Sequence, residues 1–83
     1  MVAFSHVVLD PAGFHARPVA AVAAAAREWE SEIELAVADR RSSARDLMGL
    51  MALDARRGDE IAVTVAGPDE REAARALQAV FTF

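Results

Sequence analysis

Two apolar periods take turns along this 83-residue chain, and their order is the strongest constraint on its fold. Ile33, Leu35 and Val37, and again Ile61, Val63 and Val65, place apolar residues at every second position. That spacing predicts strands with one buried face. Val2 to Leu9 alternates more weakly around Ser5 and His6, but Val2, Phe4, Val7 and Val8 favour a strand there as well. A short further strand is expected near Arg41 to Ala44, entered through a turn at Asp39-Arg40. Between these strands the period lengthens. Val19, Val22, Ala23 and Ala26 fall at i, i+3, i+4 and i+7, the buried stripe of a helix. Pro18 is tolerated only in a first helical turn, so this helix opens near Ala16; it ends around Arg27 to Trp29. Leu47 to Leu53 predicts a compact second helix stopped by Asp54 to Gly58. Gly67-Pro68-Asp69 opens a third, with Ala73, Ala74, Leu77, Val80 and Phe81 at core spacing. Asp69, Glu70 and Glu72 suit the positive end of its dipole.

The resulting order is βαββαβα with short connections, in a single domain spanning residues 1–83. It suits a two-layer α+β fold, a four-stranded antiparallel sheet with helices on one face. A ferredoxin-like split βαβ fits the first six elements equally well, and periodicity does not choose the strand order. Alanine makes up about a quarter of the chain, so the larger apolar residues must carry the core. The absence of cysteine excludes disulfides, thiolate nucleophiles and cysteine-based zinc sites, and two histidines are few for a metal site. No metal or cofactor is expected. The net charge of −4 argues against a nucleic-acid binder. The longest apolar run, Val19 to Ala26, is far short of the about 20 residues that span a membrane. These features predict a soluble, cytoplasmic domain, with nothing that demands more than a monomer.

Chemistry concentrates in Gly13-Phe14-His15-Ala16-Arg17-Pro18. The segment puts an imidazole at the opening of a helix, where unpaired N–H groups and the dipole attract anions. The N–H groups around Ala16 and Arg17 are candidate hydrogen-bond donors to phosphate oxygens, and the Arg17 guanidinium is a permanent charge two residues from the ring. Neutral histidine is a competent nucleophile near pH 7. A lone histidine near a helix start is ordinarily a capping residue or a solvated side chain. Its combination with Gly13, Arg17 and Pro18 favours phosphoryl chemistry. His6, in mid-strand, reads as a surface residue.

Over nearly its whole length the sequence resembles the HPr family, the histidine-containing phosphocarriers of the phosphoenolpyruvate:sugar phosphotransferase system. Gly13 to Pro18 is similar to the family's active-site signature, Asp46 to Leu53 to its second helix, and Gly58 and Gly67 to its turn glycines. The resemblance implies an open-faced β-sandwich of strand order 1-4-2-3 under three helices. It further implies that His15 takes a phosphoryl group from phospho-enzyme I through Nδ1 and passes it to IIA domains, with Arg17 steadying the phosphate. Such a protein is a relay with a phosphohistidine intermediate rather than a stand-alone catalyst.

The second helix suggests docking independently of the family. Its five large apolar residues cannot all be buried in so small a domain. Leu50 and Leu53 are expected inside, and Leu47, Met48 and Met51 outside as a partner-binding patch. Ala20, Ala24 and Arg27 form a stripe of small and basic residues on the first helix, beside His15. Arg27 and Arg45 are expected to supply the positive charge of this face. Asp46 stands where many relatives carry a regulatory serine. It suits an N-cap, and its charge also admits a rival reading, a non-relaying regulatory module in which Asp46 imitates phosphoserine. Two departures concern turns: Ala38-Asp39 and Asp54 stand where relatives commonly have glycine.

Overall fold

The alternating runs become the core face of a sheet. The computed structural model describes residues 1–83, with β1 (Val2–Val7), α1 (Ala16–Ala26), β2 (Glu32–Val37), β3 (Arg40–Ser43), α2 (Leu47–Ala52), β4 (Glu60–Ala66) and α3 (Glu70–Val80). The strands form one antiparallel sheet of order β1-β4-β2-β3, which resolves the choice the periodicity left open and removes the ferredoxin-like alternative. Register aligns Phe4 with Val63 and Val63 with Leu35, and likewise Val2 with Val65 and Val65 with Ile33. One face therefore carries the large apolar residues. The other carries Ala3, Ser5, Glu34, Ala62 and Thr64 and remains open.

The helices cover the apolar face. Pro18, Val19, Val22, Ala23 and Ala26 of α1 are buried, as are Ala73, Ala74 and Leu77 of α3. α2 contributes Leu50, and Leu53 follows as its C-cap. Burying a leucine or valine stabilises by roughly 1.5–3 kcal/mol, so the sheet-facing aliphatics outweigh the alanines that let helix and sheet approach.

Several boundaries shift from the sequence expectation for identifiable reasons. β1 stops at Val7 because the next amides leave the ladder: Val8 donates to Asp59 (2.9 Å) and Leu9 to Phe83 (2.8 Å). The β2–β3 turn is Ala38-Asp39, not Asp39-Arg40, so Arg40 already pairs with Val37. Phe81 is buried but lies past the end of α3, and Val80 is only partly covered. Asp69 is the N-cap of α3, yet its carboxylate does not cap the helix. It accepts instead from the Glu30 and Ser31 amides (both 3.0 Å) and the Ser31 hydroxyl (2.5 Å). Those bonds hold its pKa below the usual carboxylate value, the Ser31 hydroxyl contributing most.

His6 also departs from its expected place. It follows Val2 and Phe4 on the core side of β1 and lies edge-on to Phe81 (centroids 5.6 Å) and Phe83 (4.9 Å). Its Nε2 is buried without a hydrogen-bond partner. Burial disfavours the charged ring and lowers its pKa below 6.5.

Two tests follow from these local features. Ala38 holds a left-handed backbone (φ 55°), which costs an L-residue more than glycine. Ala38→Gly should raise unfolding stability by about 1 kcal/mol, read from the denaturant midpoint; an unchanged or lower midpoint contradicts the strain. For His6, the unfolded chain takes up a proton near pH 6.5 that the fold resists, so the full contribution is present above that pH. It is lost as pH falls from there through the lowered folded value. The wild-type melting temperature should therefore drop relative to His6→Phe between about pH 7 and pH 5, whereas parallel curves contradict a neutral buried ring.

Candidate functional site

The β1–α1 loop is pinned against the segment after α2. Gly13 has φ 72°, and a Cβ there would stand 2.6 Å from the Ala55 oxygen, so both backbone and space demand glycine. The Phe14 amide donates to that same oxygen (2.8 Å), and the Phe14 ring is buried. Within the loop, the Asp10 carbonyl accepts from Gly13 (2.8 Å) and Asp10 Oδ1 accepts from Ala12 (2.8 Å).

This arrangement delivers His15 as the N-cap of α1 in extended backbone (φ −99°, ψ −174°). Its carbonyl accepts the Val19 amide (3.0 Å) and begins the helix, while its ring makes no capping bond. The ring is instead engaged by Asp10, whose Oδ2 lies 3.3 Å from Nε2. A carboxylate only accepts, so the pairing favours the proton on Nε2 and leaves the Nδ1 lone pair available. Asp10 is suited to this role. The Ala12 amide first, and the His15 bond second, hold its pKa below the ordinary value, so it stays ionised at neutral pH. The His15 side chain is 39% exposed, which keeps the ring within reach of a partner.

Hollows open on both sides of the ring. One, of about 520 Å³, runs past Phe14 and Met51 to Asp54, Arg56 and Arg57. The other, of about 380 Å³, is bordered by Asp10, Arg17, Thr82 and Phe83. Arg56 is engaged by Asp54 (3.1 Å), whereas Arg17 is exposed and pairs with no carboxylate. The Ala16 and Arg17 amides in the first turn have no acceptor within the chain, and Pro18 has no N–H to offer. Nucleophilic nitrogen, free guanidinium and open amides therefore share one end of α1.

The residues expected to dock a partner are exposed on two neighbouring helices beside it. Ala20, Ala24 and Arg27 are exposed along α1, which packs against α2. Leu47 and Met51 are each 44% exposed and Met48 78%, while Leu50 and Leu53 are buried. Arg27 Nη2 donates to the Arg45 carbonyl (3.2 Å), tying the two helices together at one end. Asp46 is the N-cap of α2, its Oδ1 accepting from the Gly49 amide (3.0 Å). Arg45 does not serve this face as expected. Its guanidinium donates to the carbonyls of Ala26 (3.4 Å), Ser31 (3.4 Å) and Trp29, satisfying oxygens released at the end of α1.

Sequence reading missed Asp10 and the contribution of Arg56 and Arg57 to the cleft. An acid five residues ahead of a histidine was the available signal for Asp10; the arginines become neighbours of His15 only through tertiary packing. No cluster of three or more His, Asp or Glu side chains is placed to hold a metal ion. No helix is long and apolar enough to cross a membrane.

A family model described as the PTS HPr component phosphorylation site matches residues 2–82. The phosphocarrier protein HPr of Treponema pallidum is 42% identical over 74 residues, covering 89% of this chain and 84% of that protein. Among solved structures, the histidine-containing phosphocarrier protein of Mycoplasma superposes with a TM-score of 0.93 at 28% identity, over 95% of this chain and 90% of that one. Crh of Bacillus subtilis, solved as a domain-swapped dimer, is similar with a TM-score of 0.76 at 32% identity, covering 98% and 93%.

Proposed function

The chain belongs to the HPr family of phosphotransferase-system phosphocarriers, and from that premise we propose that His15 takes a phosphoryl group from phospho-enzyme I and delivers it to IIA domains. The pairing of Asp10 with Nε2, which leaves Nδ1 as the free nitrogen of an accessible ring, carries this reading. The Nδ1 lone pair attacks phosphorus, and the electron pair of the broken donor bond departs with the donor. The ring, then substituted at Nδ1 and protonated at Nε2, is formally cationic. Asp10 opposes that charge, so it favours the carrier state over an unassisted ring. Delivery reverses the sequence: an acceptor nucleophile takes the phosphoryl group and the Nδ1 pair returns to the ring.

Arg17 is assigned to steady the phosphate oxygens, together with the Ala16 and Arg17 amides. An exposed guanidinium without a carboxylate partner supports that role, since it need break no ion pair to serve. The small stripe of Ala20, Ala24 and Arg27, with the apolar patch of Leu47, Met48 and Met51, is assigned to both partners in turn. Flexible, exposed methionines suit a protein that must leave one partner for another. The Asp46 carboxylate is occupied by the Gly49 amide, which favours its capping role and gives the phosphoserine-imitation reading no separate support.

Incubation with enzyme I and labelled phosphoenolpyruvate tests the relay. One acid-labile, alkali-stable phosphoryl group per chain is expected, lost in His15→Ala and transferable to a IIA domain. Label that survives in His15→Ala, or a chain that takes none, contradicts the proposal.

A further inference from the structure

Asp10 can orient His15 only if Asp10 is itself held, and beyond its local bonds to Ala12 and Gly13 it is held by a group from a distant part of the sequence. The main-chain oxygen of Phe83 accepts the Leu9 amide (2.8 Å) and the Asp10 amide (2.7 Å), just where the chain leaves β1. The Phe83 ring lies nearly parallel to Phe14 (centroids 5.1 Å, 11°), the residue immediately before His15. The same ring meets His6 edge-on at 4.9 Å and Phe81 at 5.4 Å, and Phe83 is buried among them. One residue therefore grips the loop twice. Its main chain fixes the residue carrying the carboxylate, and its ring fixes the neighbour of the residue carrying the imidazole.

We propose that Phe83 is a positioning residue for His15, keeping the Asp10 carboxylate on Nε2 so that Nδ1 faces an incoming phosphoryl group. The functional consequence rests on the relay reading above, while the geometry concerns the unphosphorylated chain alone. The physical basis is angular. A hydrogen bond weakens steeply as its alignment fails, and the 3.3 Å bond between Asp10 and His15 spans a turn that the Ala12 and Gly13 bonds to Asp10 shape but do not anchor to the rest of the fold at its Asp10 end. Two amide bonds supply that anchor, and a stacked ring holds the other end. His6 is part of the socket: its partly buried ring lies edge-on to Phe83, with Nε2 covered, on the β1 side of the cluster.

The test uses the full chain labelled with 15N in histidine, read by imidazole nitrogen shifts with no phosphate donor present. Neutral His15 should carry its proton mainly on Nε2 in the wild type. In Phe83→Ala the ratio of Nε2–H to Nδ1–H forms should fall by about threefold as the Asp10 bond is lost. Exchange of the Leu9 and Asp10 amides should accelerate by about tenfold while the Val63 amide in mid-sheet keeps its protection. Phe83→Tyr, which retains the ring, should restore both readings. Phe83→Leu keeps most of the apolar bulk but not the planar stack, and it should shift the tautomer ratio with the sheet intact even where the alanine variant loosens the whole fold. A tautomer ratio unmoved in both the alanine and leucine variants overturns the proposal, because a purely structural phenylalanine changes stability without changing the ring proton. Failure of the unsubstituted chain to accept label from enzyme I overturns its functional half and leaves the tautomer result unaffected, so the two failures are distinguishable.

Discussion

The bond between Asp10 and His15 Nε2 is the interaction around which the loop is organised. It selects which ring nitrogen is free, and only a loop of fixed shape can keep it. That shape is enforced by three features with different physics. Gly13 supplies a backbone conformation and a close approach that a side chain would prevent; Phe14 is buried with its amide committed to Ala55; Phe83 secures the first residues of the loop. The sheet contributes indirectly. By pairing β1 with β4 it brings the exit of β1, the segment after α2 and the residues after α3 to one edge of the domain, where their unpaired amides and carbonyls meet.

Burial is distributed to leave this edge and one helical surface open. α1 and α3 each place two alanines among their covered residues, so helices pack closely on a sheet whose large side chains fill the interior. α2 is too short to bury every apolar residue it carries, and the excess falls beside the cleft that contains His15. Charge follows the same division. Arg45 is consumed by carbonyl oxygens at the end of α1, whereas Arg17 stands unpaired near the ring. An overall acidic chain thus presents free positive charge beside an accessible imidazole.

The fold was legible wherever burial acted through a regular period. Ile33, Leu35 and Val37 have no neighbouring competitor for the core face, and Pro18 admits a single kind of helical position. The family resemblance supplied the strand order, which periodicity could not, because pairing partners are set by the whole sheet. His6 was misread since two polar residues in β1 blurred the alternation, and the rings that cover it arrive from beyond α3. Arg45 was misread because nothing local announces that the carbonyls of Ala26, Trp29 and Ser31 lie within its reach. The placement of Arg17 beside His15 was legible from their spacing, while that of Asp10 was not. Its turn chemistry is local, but its bond to the ring depends on the clamp at Phe83. The left-handed backbone at Ala38 and Asp54 falls at the two turn positions where the resemblance leads to an expectation of glycine.

The most direct test of the central claim is the site of attachment within the ring. Phosphorylated chain labelled with 15N in histidine, examined for coupling between 31P and each imidazole nitrogen of His15, reports it without reference to partners. Coupling to Nδ1, with Nε2 still protonated, is the expected result. Coupling to Nε2 contradicts it, because the nitrogen held by Asp10 would then be the one that reacts.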